Sequence, residues 1–176
     1  DAKYATLAPV PPPADTPGMR RVKLADDPPP VQMFVPGFTV RELPVKLTNI
    51  NNVLYREDGA LVALAYDGNV YVLRDTDGDG VEDDARVYWK NEGQLRAPIG
   101  MALTPPGYER GRGVFVACRG KIVLLLDKDQ DDVAEEEVIV TTGWPELFVQ
   151  VDALGVAVDP RDHAIYFGIG TENFTD

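Results

Sequence analysis

The sequence contains very little cysteine and histidine, and each shortage excludes a class of site. Cys118 is the only cysteine and His163 the only histidine among 176 residues. A single cysteine can form no disulfide within the chain, no cysteine-based metal cluster and no CxxCH haem attachment site. A single histidine without a serine or cysteine partner pattern gives no nucleophilic triad. We expect Cys118 to be a small core residue and His163, in a turn at Pro160–His163, to be a solvated surface residue.

Long apolar runs, helical periodicity and positive charge are also scarce. No apolar run reaches the roughly 18 residues of a membrane-spanning helix, so the sequence predicts no such span. No stretch keeps the period of an amphipathic helix. Lys and Arg number 17 against 29 Asp and Glu, a net charge of −12, which would repel nucleic-acid phosphates and excludes that partner. Hydrophobic content of 44% is still sufficient for a buried core.

Proline is concentrated at the start of the chain, where residues 1–36 hold nine of the 15 prolines. Because proline fixes φ and removes a backbone donor, this stretch cannot form continuous helix or sheet. We predict a Pro-rich extended arm over residues 1–36, partly polyproline II, that links to a preceding segment or wraps over the folded body. Disorder of its first half is the alternative.

From Phe38 onward, short β-rich runs alternate with turn signals. The first group predicts strands at Thr39–Leu43, Val53–Arg56, Ala60–Tyr66, Val70–Arg74 and Ala85–Trp89. Later groups predict strands at Ile99–Leu103, Gly113–Cys118, Lys121–Leu126, Glu137–Thr141, Gly155–Asp159 and Ala164–Ile169. Asp-Gly pairs between such runs are hairpin signals, because glycine tolerates positive φ. The predicted fold class is all-β.

The same order of strands and acidic loop recurs along the chain. The acidic loops begin at Asp75 and Asp127, and 127 − 75 = 52 residues. A period near 50 with four short strands per unit is typical of β-propeller blades. We predict a partial β-propeller of about two and a half four-stranded blades from a ring of about six, over 37–95, 96–150 and, incomplete, 151–176. The remaining blades would belong to the same protein or to another chain, and a β-sandwich of about ten strands is the alternative.

Acidic residues are concentrated in these two loops, with six in Asp75–Asp84 and seven in Asp127–Glu137. Carboxylates packed so closely repel one another unless a cation neutralises them, and calcium prefers hard oxygen ligands. In each loop, acidic side chains occupy positions one, three, five and nine, and a backbone carbonyl is available at position seven. The predicted calcium ligands are therefore Asp75, Asp77, Asp79, Val81 and Asp83 in the first loop and Asp127, Asp129, Asp131, Val133 and Glu135 in the second.

Both loops depart from the helix–loop–helix calcium motif. Arg86 stands at position twelve of the first loop, where that motif has a bidentate acid, so water or Asp84 would complete the ligands with lower affinity. Asp132 replaces the glycine at position six of the second loop, and we expect its turn to survive because Asp tolerates left-handed backbone. Carboxylate-only sites are more often structural than catalytic, so we predict calcium that orders the loops. An acidic turn without an ion is the alternative.

A family resemblance rests on Phe34–Val40, on Asn52–Asp58 and on the strand–loop–strand unit around Asp75–Gly80. Over about residues 34–176, the chain resembles the N-terminal blades of soluble glucose and sorbosone dehydrogenase-like propellers. The similarity is greatest to the membrane-bound dehydrogenase-type proteins of planctomycete-type bacteria. It implies a periplasmic or secreted six-bladed propeller, often followed by helical repeats and a haem c domain. Some relatives use pyrroloquinoline quinone and calcium to oxidise sugars.

The resemblance implies the N-terminal part of a sugar or alcohol dehydrogenase-like protein with structural calcium and an electron-transfer partner. Any quinone-dependent active site would lie mostly outside this chain, since no residue here matches the family's histidine base. Catalytic and quinone-binding residues are therefore unassigned. The alternatives are a non-catalytic propeller that binds carbohydrate or protein, and an interaction subunit of an electron-transfer assembly.

Overall fold

The computed structural model describes residues 35–144 and 152–170, which are the residues meant wherever the structure is discussed. The chain divides into two compact units, residues 1–42 and 43–176. The described part of the first unit, residues 35–42, holds a turn in which Phe38 N donates to Val35 O at 3.4 Å. The arm predicted over 1–36 lies outside the described residues except for its last two, so it stays a prediction.

The described part of the second unit is all-β, with ten strands and no helix, as the sequence predicts. The strands are β1 (Ile50–Tyr55), β2 (Leu61–Ala65), β3 (Val70–Arg74), β4 (Asp84–Trp89), β5 (Gly100–Leu103), β6 (Arg112–Cys118), β7 (Lys121–Asp127), β8 (Glu136–Thr142), β9 (Ala153–Val158) and β10 (Ile165–Ile169). They form two four-stranded antiparallel sheets, β1–β4 and β5–β8, and an antiparallel pair of β9 and β10. These sheets close into no barrel within the described ranges, where there is also no helix able to cross a membrane.

Turn residues explain where the strands stop. Between β2 and β3, Gly68 takes φ 90°, and its N–H donates to Ala65 O at 2.9 Å. The Asp67 side chain accepts from Asn69 N at 2.9 Å, which fixes the other side of the turn. The strand predicted at Thr39–Leu43 is wrong, because the described residues before β1 contain no strand. A short alternating pattern becomes a strand only where a neighbouring strand can pair with its backbone.

The second sheet is buried on both faces along β6 and β7. Along β6, Val114 and Val116 pack towards the first sheet, together with Val62 and Val72. Phe115, between them in sequence, packs on the opposite face with residues of the β9–β10 pair. Burial on both faces explains why β6 and β7 are almost continuously apolar rather than alternating. The three sheets are therefore stacked face to face, with the second in the middle.

The first strands of successive sheets are neighbours, with β1 beside β5 and β5 beside β9. Asn51 Nδ2 donates to Pro98 O at 2.7 Å, and Asn52 donates to Ile99 O, which joins β1 to the segment that enters β5. At Gly100, a Cβ atom would meet the carbonyl oxygen of Leu154 and other backbone of β9. Glycine is required there because the two strands approach so closely.

Candidate functional site

The two acidic loops occupy equivalent places in the two four-stranded sheets. The first connects β3 to β4 and the second connects β7 to β8, in each case the third and fourth strands of the sheet. Each loop is closed by one backbone hydrogen bond at its base, from Asp83 N to Arg74 O at 3.0 Å and from Glu135 N to Leu126 O at 2.9 Å. The strand pairing therefore presents the intervening residues as a defined loop at one end of each sheet.

Hydrogen bonds within the first loop wrap its backbone around the carboxylates. Asp75, at position one, accepts from the N–H groups of Gly78 at 2.7 Å and Gly80 at 2.8 Å. Asp77 accepts from Asp79 N at 3.1 Å, and Asp79 in turn accepts from Val81 N at 2.8 Å. These contacts hold the side chains at positions one, three and five on the inner side of the turn.

The second loop repeats this pattern of contacts. Asp127 accepts from Asp131 N and Asp132 N, each at 3.2 Å. Asp129 accepts from Asp131 N at 3.3 Å, and Asp131 accepts from Val133 N at 2.9 Å. Asp132 has φ 73°, close to the 82° of Gly80 in the first loop, so the expected left-handed turn at position six is confirmed.

The carboxylate oxygens converge in both loops. One oxygen from each of Asp75, Asp77 and Asp79 lies within 4.8 Å of the others, as do those of Asp127, Asp129, Asp131 and Glu135. Calcium coordination by several oxygens around one point fits such a donor set. The predicted ligand Asp83 is not in the first group and stays a prediction; its two oxygens accept from Thr76 N and Thr76 Oγ1, each at 2.8 Å. Val81 and Val133 follow the position-five carboxylates in sequence, and their carbonyls stay predicted ligands.

Local hydrogen bonds favour the charged forms of two first-loop carboxyls. The N–H groups of Gly80 and Gly78 hold the pKa of Asp75 below its ordinary value. The hydroxyl and backbone N–H of Thr76 lower the pKa of Asp83 in the same way. Both side chains are exposed, so water screens the effect. The loop nevertheless presents ionised oxygens at neutral pH, which is the state that a cation requires.

An ionic network lies beside the second loop, and sequence reasoning missed it. We call it the arginine cluster: Arg56, Arg74 and Arg112 with Asp58, Asp127 and Asp132. Asp132 binds Arg56 and Arg74 at 2.7 Å each and Arg112 at 3.0 Å. Asp58 also accepts from Arg56 and Arg74, at 2.7 and 3.0 Å. Arg56 directly follows β1 and Arg74 ends β3, both of the first sheet, whereas Arg112 begins β6 of the second, so the cluster joins the sheets.

Two carboxyls of the cluster, those of Asp58 and Asp132, have a lowered pKa. Hydrogen bonds from Arg56 lead the effects that depress the pKa of Asp58 well below its usual range. For Asp132, burial acts to raise the pKa, but hydrogen bonds from Arg74 and Arg56 outweigh it and the pKa is lowered.

The second loop also contacts the first sheet through a backbone hydrogen bond from Ala134 N to Tyr88 O at 2.7 Å. The loop thus lies at the junction of the two sheets.

A groove of about 540 Å³ opens where β1, β5 and β9 end. Tyr55 lies at its rim with 65% of its surface exposed, and Tyr108 lies deeper, in edge contact with Phe115. The Tyr55 hydroxyl donates to Glu82, a buried carboxylate, at 2.6 Å. Other lining residues are Arg56, Arg112, Thr104, Gln130 and Pro160. Their spread over three strand ends explains why no sequence motif indicated the groove.

The structure also places Cys118 and His163. Cys118 is buried in the core as predicted, and burial raises the pKa of its thiol to about 11. The prediction of a solvated His163 is wrong: the side chain is half-buried, with its ring centroid 5.2 Å from that of Tyr108. The left-handed backbone of His163, at φ 62°, accompanies this packing in the turn before β10. Ring contact with Tyr108 is a long-range feature that the turn sequence could not indicate.

One protein family matches this chain. It is described as Domain of unknown function (DUF7133), and it matches residues 49–175, a span that contains all ten strands. No curated protein and no solved structure matches the chain.

Proposed function

Because the chain belongs to the family described as Domain of unknown function (DUF7133), which names no chemistry, we propose its function from its loops and sheets. The proposal is a calcium-binding β-propeller segment of an extracytoplasmic protein, in which calcium is structural. The convergence of Asp75, Asp77 and Asp79 within 4.8 Å on an exposed loop carries the calcium part. Three ionised carboxylates at that spacing are stable together when a cation shares their charge.

Three features of the strands support the propeller part. Two four-stranded antiparallel meanders follow one another in the chain, and their faces pack together. Their first strands are neighbours, as the innermost strands of adjacent propeller blades are. The stack has three sheets, whereas a β-sandwich has two. These features favour blades over the sandwich alternative.

A structural role for calcium follows from where the first loop lies. A nine-residue connection between paired strands loses conformational entropy when it is ordered, and an ion bound to several of its side chains offsets that loss. The residues that approach one another there are carboxylates, and no histidine or thiol lies in the loop sequence Asp75–Asp83. Such a donor set suits a hard cation rather than a catalytic transition metal.

Calcium removal is the test of this proposal. We expect excess chelator to lower the melting temperature of the full chain by several degrees, because the ion binds the folded state and not the unfolded chain. The measurement is thermal unfolding followed by circular dichroism in calcium and in chelator. In Asp77→Asn/Asp79→Asn, which removes two of the converging carboxylates, the two melting curves should coincide. An unchanged melt of the wild-type chain in chelator would contradict structural calcium.

The wider setting is also part of the proposal and is supported by the sequence resemblance. In it, this chain is the N-terminal part of a periplasmic or secreted sugar or alcohol dehydrogenase-like protein. Pyrroloquinoline quinone and electron-transfer partners would engage residues outside this chain. The remaining propeller blades would come from the same protein or from another chain.

The groove favours a second candidate function, a non-catalytic propeller that binds carbohydrate. An exposed tyrosine ring beside planar polar groups suits the apolar face and hydroxyls of a sugar, and the volume lies in the range of ligand sites. We expect Tyr55→Ala to weaken binding of any oligosaccharide found by calorimetry at least tenfold. Tyr55→Phe, which keeps the ring, should bind nearly as well as wild type. Equal affinity of wild type, Tyr55→Ala and Tyr55→Phe for the oligosaccharide would exclude the groove as its binding site.

A further inference from the structure

Convergence of carboxylates alone favours the second acidic loop, but the surroundings of the two loops favour the first. Four carboxylate oxygens lie within 4.8 Å of one another in the second loop and three in the first. In the first loop, Asp75 at position one is exposed and accepts from backbone N–H groups. In the second loop, Asp127 at the same position is 0% exposed and accepts from Nε of Arg112 at 2.9 Å and from its Nη2. A protein cation therefore already neutralises the second loop's first ligand.

The two loops also differ in the residue at position six. The first loop has Gly80 there, with no side chain to place a charge. The second loop has Asp132, and its two oxygens are shared among three guanidinium groups at 2.7 to 3.0 Å. Asp132 thus directs its charge towards the three arginines, and Asp127 shares its charge between Arg112 and the converging group of the loop.

A calcium ion in the second loop would lie close to this positive charge. Arg112 hydrogen-bonds Asp127 through Oδ2, so a divalent ion on the other oxygen would lie only a few ångströms from the guanidinium group. Like charges at that separation repel strongly where burial lowers the effective dielectric constant. Beside the first loop, Asp84 pairs with Arg86, whose side chain is 74% exposed, so solvent screens its charge.

We infer that the arginine cluster takes the place of calcium at the second acidic loop, so that the chain binds one calcium ion, at the first loop. This inference rests on the proposed structural calcium and assigns its stoichiometry. Through Asp132 at position six, the second loop forms ion pairs with arginines of both sheets and so connects them. Its order comes from ion pairs that are present at any calcium concentration.

Calcium stoichiometry tests the inference. Isothermal titration of the chelator-stripped full chain with calcium chloride should give one ion per chain. Asp129→Asn/Asp131→Asn changes two exposed carboxylates of the second loop and should still bind one ion with affinity within about twofold of wild type. The matched first-loop variant, Asp77→Asn/Asp79→Asn, should bind none. Two ions in the wild-type chain, or loss of binding in the second-loop variant, would overturn the inference.

A second experiment removes the guanidinium group of Arg112 and looks for a gain of calcium binding. Arg112→Gln vacates Asp127, and the folded variant should bind a second calcium ion, raising the stoichiometry from one to two. If it still binds one ion while its circular dichroism matches wild type, Arg112 is not what excludes calcium. If the variant does not fold, the second-loop double variant decides the question alone. No ion in the wild-type chain would overturn the proposed calcium function as well, whereas two ions would leave that function standing.

Discussion

Replacing Phe115 with alanine is expected to destabilise the chain by about 3–5 kcal/mol, the usual cost of truncating a fully buried phenylalanine. Phe115 lies in the middle of β6 with 0% of its surface exposed. It packs against Leu124 on the same sheet and against Val156 and Ile165 of the β9–β10 pair. Its ring also meets Tyr108 edge-on at a centroid distance of 5.8 Å. The side chain therefore supports two sheets at once, and the cavity left by alanine would lie between them.

Ile139→Ala provides the matched control for this substitution. Ile139 lies on β8 of the same sheet, but 57% of its surface is exposed, so its truncation should change stability by less than about 0.5 kcal/mol. The measurement is urea unfolding of both variants beside wild type, with equal m-values as the check on two-state behaviour. A loss at Phe115 no larger than that at Ile139 would mean that the second and third sheets do not share a core.

Sequence pattern predicts the strands because their causes are local. Val70–Arg74 was predicted as a strand and is β3 with the same bounds, since Asp67-Gly68 ends the strand before it and the acidic loop ends it. The runs of β6 and β7 are predictable as strands, but their burial on both faces is not. That burial depends on which sheets lie above and below, and the residues of those sheets are distant in sequence.

The sequence likewise predicts some features of the acidic loops and not others. Alternation of acidic residues predicts the converging carboxylates of Asp75, Asp77 and Asp79, because successive side chains of a tight loop point towards its centre. Spacing does not predict that Thr76 N and Oγ1 both donate to Asp83, which lies outside the converging group. Glu135, at the same position of the second loop, accepts from Lys128 N and still lies in its converging group, so spacing alone does not decide which position-nine carboxylate converges. Calcium at either loop stays a prediction.

The arginine cluster was beyond sequence reasoning altogether. Arg56 and Asp132 are 76 residues apart, and Arg74 and Asp132 are 58 apart. Each arginine stands at a strand end, where a charged residue is unremarkable. Only the packing of the first sheet on the second brings the three guanidinium groups to one loop. The one local sign is Asp132 in place of glycine at position six, and the tolerance of aspartate for left-handed backbone explains that residue without any arginine.

Asp132→Ala is expected to lower the free energy of unfolding by about 2–3 kcal/mol. Loss of one partner from a buried ion pair costs about 3–5 kcal/mol, and partial exposure of Arg74 and retention of Asp58 and Asp127 reduce that figure. The Asp132 side chain is itself only 15% exposed. Asp84→Ala, which breaks the exposed pair with Arg86, should cost less than about 1 kcal/mol and serves as the control.

Asp132 is expected to couple the two sheets. A double-mutant cycle measures the coupling energy directly. Arg56 belongs to the first sheet and Asp132 to the second loop, so Arg56→Gln and Asp132→Ala together should cost less than the sum of the two alone. A coupling of about 1–2 kcal/mol is expected for groups in direct contact. Because the ion pairs of Asp132 do not depend on calcium, the coupling energy between Arg56 and Asp132 should be equal in calcium and in chelator. Additive losses would show that the contact between Arg56 and Asp132 does not couple the two sheets.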